Sequence, residues 1–173
     1  MWSVGRCSAP ELRAHQTAMA DAPKLVPELI DSFLAQDGTM EPPQWLQVLQ
    51  ATPFDTDTRP AAVEKLCTVL HHVQLQRGDA LFEEGDEGSD IYIILSGAVQ
   101  VTKKASSEVI AVCHAGAFFG ELALLYSDPL RRSSMSACEP THIARMQAAE
   151  LVKHKIDLVS VEATHIAAIN CSD

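Results

Sequence analysis

Hydrophobic and polar residues alternate along the middle of the chain. The alternation is clearest at residues 73–76 and 99–102, and a fully apolar run covers residues 91–95. Glycines separate these segments, at positions 78, 85, 88, 97 and 116. Short alternating strands between glycine turns are typical of a β-sandwich or β-barrel. The pattern therefore predicts a small, mainly β domain in this part of the chain.

Helical spacing replaces the alternation on both sides of the predicted strands. Residues 1–56 carry apolar residues at helical intervals and six prolines, which predicts short broken helices that pack or dock. A better helix is expected over residues 57–71, capped by Asp57 or Thr58, with Pro60 in the first turn. Another helix is predicted at residues 147–156.

One segment with helical character interrupts the strands and carries the candidate chemistry. Residues 118–126 read FFGELALLY. The start of a helix offers unpaired N–H groups and a partial positive charge, which favour a phosphate. Arg131 follows closely enough to bind the same phosphate oxygens. Glu121 would repel a phosphate, so it is expected to accept from a sugar hydroxyl, and the pair describes a ribose phosphate.

These residues resemble the phosphate-binding cassette of cyclic-nucleotide-binding domains. The resemblance rests on Gly120 to Leu124, on Pro129, and on the run from Arg131 to Ala137, and the strand-and-turn frame at residues 78–97 is also similar. It covers about residues 50–155 and is strongest toward the regulatory subunits of protein kinase A and cGMP-dependent kinase. It implies a mainly β fold with flanking helices, a jelly-roll β-barrel preceded by an N-terminal helical segment.

The resemblance also implies a division of the chain and a set of binding residues. The domains are an N-terminal helical extension at 1–56, a cyclic-nucleotide-binding domain at 57–156, and a C-terminal tail or lid segment at 157–173. Glu121 would accept from the ribose 2′-hydroxyl, and Arg131 would pair with the cyclic phosphate. The other implied binding positions are the backbone near Gly120, Leu122, Ala123 and Arg132, with Ser133 and Ser134 under the base.

The cassette departs from the family pattern around its arginine. Leu130 is one residue more than the commonest kinase-type cassette has between Pro129 and the arginine, so Arg132 remains a rival to Arg131. Arg132 also stands where the family usually has a small residue or a hydroxyl, which leaves the choice between cAMP and cGMP open.

Two further observations concern the ends of the cassette. No aromatic residue follows Tyr126 to close over the base. Either Ile166 or Ile169 serves as the lid, or the chain is too short to supply one, and a poor lid predicts a more exposed base and weaker selectivity. Residues 131–134 also fit the substrate pattern of a basic-directed kinase with Ser134 as the acceptor. A phosphate on Ser134 would oppose ligand binding by its negative charge.

Composition and charge exclude several classes of function. The net charge is −10, from 13 basic and 23 acidic residues, which argues against a nucleic-acid partner. No apolar run approaches the ~20 residues of a membrane span. The five cysteines include no CxxC pair, and no His-x-His occurs, so no metal is expected. Buried thiols in a reducing, cytoplasmic compartment are the interpretation of Cys67, Cys113 and Cys138.

The sequence therefore predicts a sensor and not an enzyme. It needs no cofactor, binds cAMP or cGMP, and responds when the cassette and the C-terminal segment repack around the ligand. A protein effector such as a kinase catalytic subunit is a further expected partner. The residues leave one alternative open, a degenerate fold of the same family that acts as a ligand-free protein-interaction module.

Overall fold

The computed structural model describes residues 25–53, 60–120 and 130–155, and within them it has eight strands and four helices. The strands are β1 (His71–Leu75), β2 (Ala80–Phe82), β3 (Asp90–Ser96), β4 (Ala98–Thr102), β5 (Val109–His114), β6 (Phe118–Phe119), β7 (Ser134–Ala137) and β8 (Thr141–Gln147). The helices are α1 (Leu25–Asp37), α2 (Pro42–Gln50), α3 (Pro60–Cys67) and α4 (Ala148–Lys153).

The strands form two four-stranded antiparallel sheets. Their orders are β1-β8-β3-β6 and β2-β7-β4-β5. The mainly β fold with flanking helices is confirmed. Strand pairs that would join the two sheets into one closed barrel are not found among the described residues, so the predicted barrel is here two sheets that face each other.

The central strand β3 is buried on both of its faces. Tyr92 and Ile94 point into the core between the two sheets, together with residues such as Val99. Ile91 and Ile93 point the other way, into a second core formed with the helices. This double burial explains why residues 91–95 are apolar throughout instead of alternating.

The helices α1 to α4 share this second core with the outer face of the β3 sheet. Ile30 of α1, Trp45 and Leu49 of α2, Leu66 of α3 and Leu151 of α4 are almost completely buried in it. The helices on the two sides of the predicted boundary at residues 56 and 57 therefore pack into one apolar cluster. The division into domains at that position remains a prediction.

Three prolines that were predicted to break helices, Pro27, Pro42 and Pro43, instead lie in the first turns of α1 and α2. Pro42 is the first residue of α2, and Glu41 before it donates its backbone N–H to Gln44 Oε1 at 2.8 Å. Pro60 begins α3. A proline costs little there because the N–H that it lacks has no partner in the first turn. The predicted caps of α3, Asp57 and Thr58, lie outside the described residues, as do residues 1–24 and 156–173.

The segment that was predicted to be helical from residue 118 begins as a strand. Phe118 and Phe119 form β6, which pairs antiparallel with Ile93 and Tyr92 of β3. The prediction of helical character is wrong for these two residues, because pairing with a distant strand outweighs their local pattern. Residues 121–129 lie outside the described part of the chain.

The cysteines agree with the interpretation of buried thiols at two of three positions. Cys67 and Cys113 are buried, whereas Cys138 is half-buried. Burial raises the pKa of the Cys67 thiol to about 11, so it stays protonated. In the described ranges, no group of three or more His, Cys, Asp or Glu side chains is arranged to hold a metal ion.

Candidate anion-binding site

Arg131 is fixed to the turn between β2 and β3 through its backbone. Its N–H donates to Asp86 O at 2.8 Å, and its carbonyl accepts from Gly85 N at 2.8 Å. The turn is closed by its own side chain, since Glu83 N donates to Asp86 Oδ2 at 2.8 Å. A residue that is far away in the sequence is thereby held directly beside the start of β3.

The side chain of Arg131 is buried, with 8% of the residue exposed. Its Nη2 donates to Asp90 O at 2.9 Å. The carbon of the guanidinium lies 4.4 Å from the ring centroid of Phe82 and 5.5 Å from that of Tyr92. The carboxylate of Asp90 forms an ion pair with Arg145 and not with Arg131, with Oδ2 at 3.8 Å from Arg145 Nη1. Arg131 is therefore held by a carbonyl and by aromatic rings.

Two glycines make room for the guanidinium. A Cβ atom on Gly88 would lie 2.7 Å from Arg131 Nε and 2.8 Å from Nη2. A Cβ atom on Gly120 would lie 2.6 Å from Asp90 O and 3.3 Å from Arg131 Nη1, and Gly120 has a φ of +94° that favours glycine. Both positions require glycine because the backbone and the guanidinium approach each other so closely.

The buried charge of Arg131 is the main electrostatic feature of the site. Among the ion pairs of the described residues, none joins Arg131 to a carboxylate. A buried cation is costly unless an anion or several hydrogen bonds compensate it. Burial raises the pKa of the Tyr92 hydroxyl, and the nearby charge of Arg131 only partly opposes this, so Tyr92 is neutral. The arrangement suits an anionic ligand.

The predicted binding residues are distributed unequally around this site. Gly120 lies beside Arg131, whereas Arg132 is exposed and its carbonyl accepts a hydrogen bond from Lys103 Nζ. Ser133 and Ser134 are half-buried, and the Ser134 hydroxyl accepts from Glu84 N at 2.9 Å. The remaining predicted residues, Glu121, Leu122 and Ala123, lie outside the described residues.

Four contributors to the site cannot be recognised from the sequence pattern. The pattern predicts Gly88 only as a turn residue, and it does not predict the contacts of Phe82, Tyr92 and the Asp90 carbonyl with Arg131. All four lie in or beside β2 and β3, between 39 and 49 positions before Arg131. No local sequence pattern connects these residues with Arg131, so their contacts with its guanidinium become visible only in the folded structure.

A comparison with protein families matches the part of the chain that contains this site. Residues 72–153 match the family model of the cyclic nucleotide-binding domain. The family resemblance that was predicted from the sequence is confirmed. The matched residues 72–153 include β2 to β8, and therefore include Arg131 and every residue described around it.

Two curated relatives show which proteins contain a similar domain. The cAMP-dependent protein kinase regulatory subunit of Yarrowia lipolytica is 33% identical over 98 residues, which are 57% of this chain and 26% of that protein. The cGMP-dependent protein kinase of Eimeria tenella is 41% identical over 66 residues, 38% of this chain and 6% of that protein. The matched part of the chain thus corresponds to about a quarter of the first relative and to a much smaller part of the second.

A solved structure has the same fold. The regulatory subunit of a cAMP-independent protein kinase A from Trypanosoma brucei superposes with a TM-score of 0.59 at 23% identity. The match covers 69% of this chain and 44% of that one. At this identity the likeness concerns the fold alone.

In the described part of this chain, no helix is long and apolar enough to cross a membrane.

Proposed function

We propose that the chain binds a cyclic nucleotide, cAMP or cGMP, and that Arg131 pairs with the cyclic phosphate. The observation that carries the proposal is the buried guanidinium of Arg131, which has no carboxylate partner among the described ion pairs. The Yarrowia relative is cAMP-dependent and the Eimeria relative is cGMP-dependent. Both nucleotides share the ribose phosphate that the site would recognise, so the choice between them depends on the base.

Arg131, and not Arg132, is the proposed phosphate ligand. The Arg131 side chain is buried beside Gly120, whereas Arg132 is exposed. A guanidinium in a water-poor site forms stronger charge-assisted hydrogen bonds than one at the surface. Counting back from Ala137 along the cassette pattern also favours Arg131.

The rest of the ligand contacts follow from the family resemblance. Glu121 would accept from the ribose 2′-hydroxyl, and backbone N–H groups of residues 120, 122, 123 and 132 would surround the phosphate. Ser133 and Ser134 would lie under the base. The half-buried position of Ser134 at the start of β7 supports this arrangement.

We propose that the chain acts as a sensor and not as an enzyme. Ligand binding would neutralise charge at the cassette and shift the chain toward the state that binds more tightly, with the cassette and residues 157–173 repacked. The Yarrowia relative is a kinase regulatory subunit, which makes a kinase catalytic subunit the proposed effector. A cytoplasmic location remains part of this proposal.

Calorimetric titration with cAMP and with cGMP tests the proposal. The proteins are the wild type, Arg131→Ala, and Arg132→Ala as the neighbouring control with an exposed side chain. Removing a buried charge-assisted contact costs ~2–5 kcal/mol, so Arg131→Ala should weaken binding by about 30-fold to several thousand-fold. Binding that survives Arg131→Ala but is lost in Arg132→Ala would assign the phosphate to Arg132 instead.

A second candidate function is a ligand-free protein-interaction module. It is favoured by residues 127–173, which contain no aromatic residue that could cover a base. The same titration separates the two functions. A folded wild type that gives no heat with either nucleotide would leave the interaction module as the function.

A further inference from the structure

Phe82 lies directly against the guanidinium of Arg131. The guanidinium carbon is 4.4 Å from the ring centroid, well within the ~6 Å range of a cation–π interaction. Phe82 is the last residue of β2 and pairs with Met135 of β7. The pairing of β2 with β7 therefore sets the position of Phe82, and β7 begins three residues after Arg131.

The ring of Phe82 is held by two other aromatic rings. Its centroid lies 5.8 Å from that of Tyr92 and 6.4 Å from that of Phe119, and the rings of Tyr92 and Phe119 stack at 5.3 Å. Aromatic pairs at these distances add specific packing beyond the burial of their area. The three rings form an aromatic platform (Phe82, Tyr92 and Phe119) on which Arg131 rests.

The platform and the Asp90 carbonyl restrict the guanidinium in different directions. Phe82 lies against the guanidinium carbon at 4.4 Å, and Asp90 O accepts a hydrogen bond from Nη2. The Nη1 edge lies on the side of Gly120. A lysine at position 131 would not reproduce this arrangement, since only the planar guanidinium both stacks on a ring and offers a directed edge of donors.

We infer that Phe82 is a positioning residue of the anion site. Its ring compensates part of the buried charge and keeps the Nη1 edge of Arg131 turned toward the bound anion. The inference rests on the proposed function, because that anion is the cyclic phosphate. Without the ring, the side chain of Arg131 must be ordered again each time a ligand binds, which lowers affinity.

Phe82→Leu should weaken cyclic nucleotide binding by about 5- to 30-fold, which corresponds to a partly or fully desolvated cation–π contact. Phe82→Tyr keeps a ring and should restore wild-type affinity. Phe118→Leu is the matched control, because Phe118 is a half-buried phenylalanine that packs on the helix side of the sheet. Equal losses in Phe82→Leu and Phe118→Leu would overturn the inference.

A second variant removes the interaction without changing the size of the side chain. Site-specific replacement of the Phe82 ring by its pentafluoro analogue reverses the ring quadrupole and keeps the packing. Affinity should fall by a factor similar to that of Phe82→Leu in a protein that remains folded. Unchanged affinity in this variant would show that Phe82 acts only through packing, and would overturn the inference even where Phe82→Leu fails to fold.

A measurement without ligand separates this inference from the proposed function. Stacking should shift the side-chain proton resonances of Arg131 upfield in the nucleotide-free protein, and Phe82→Leu should abolish the shift while Phe82→Tyr keeps it. The shift in a wild type that binds no nucleotide would support the aromatic contact and reject the proposed ligand. A wild type that binds nucleotide but shows no shift would reject the positioning of Arg131 by Phe82.

Discussion

Acidification from pH 7 to pH 5 is expected to destabilise the fold through a pair of histidines on the helix side of the β3 sheet. His72 Nε2 lies 3.0 Å from His142 Nδ1, and the two rings stack with centroids 5.2 Å apart. Burial, and secondarily His142, lowers the pKa of His72 from 6.5 to about 4. Burial also lowers the pKa of His142, while Asp31 of α1 opposes both shifts. The pair is therefore neutral at pH 7.

The direction and size of the effect follow from proton linkage. Between pH 6.5 and about 4 the unfolded chain binds a proton at His72 that the folded chain does not bind, so stability falls as the pH falls through this window. For one group with these two pKa values, the free energy of unfolding drops by at most about 2 kcal/mol between pH 7 and pH 5. His142 shifts in the same direction and adds to the loss.

Urea unfolding at both pH values measures this loss. Carboxylates also titrate in acid, so the quantity of interest is the difference between the wild type and His72→Gln. The wild type should lose about 2 kcal/mol more than the variant on acidification. His114→Gln, at an exposed histidine of β5, should behave as the wild type. If the wild type and His72→Gln lose the same stability to within about 0.5 kcal/mol, the reasoning is refuted.

Three other predictions concern the site, the helical layer and the candidate modification. Gly88→Ala should weaken nucleotide binding by about 5- to 150-fold in a calorimetric titration, because relieving the contact with Arg131 costs ~1–3 kcal/mol. Gly78→Ala is the control: a Cβ atom there meets nothing within 4 Å, but the φ of +90° strains any side chain. This variant should lose stability and keep its affinity. Equal losses of affinity in Gly88→Ala and Gly78→Ala would contradict the prediction. Ile30→Ala should lower the free energy of unfolding in urea by ~2–5 kcal/mol, and an unchanged value would mean that α1 does not share the core. A basic-directed kinase should leave the folded protein unlabelled at Ser134, which is half-buried and hydrogen-bonded, and labelling as fast as in the unfolded chain would contradict this.

The short-range pattern of the sequence determined the strands and the character of the site. Residues 99–102 alternate as β4 does, and the apolar run at 91–95 is the fully buried centre of β3. These features are local, since side chains on a strand point to opposite faces in turn. The cassette pattern also selected Arg131, which the structure buries, although the roles of the predicted binding residues remain proposals.

The tertiary structure alone decided the surroundings of Arg131 and the packing of the helices. Phe82 and Gly88 meet the guanidinium because the turn after β2 binds the backbone of Arg131, and Phe118 is in a strand because β3 pairs with it. The histidine pair forms because β1 and β8 are neighbours. Each of these contacts joins residues that are far apart in the chain, and their energies depend on burial and on relative orientation. A linear pattern of residue types contains neither quantity. The sequence therefore proposed Arg131 as a candidate, and only the fold decided which groups surround it.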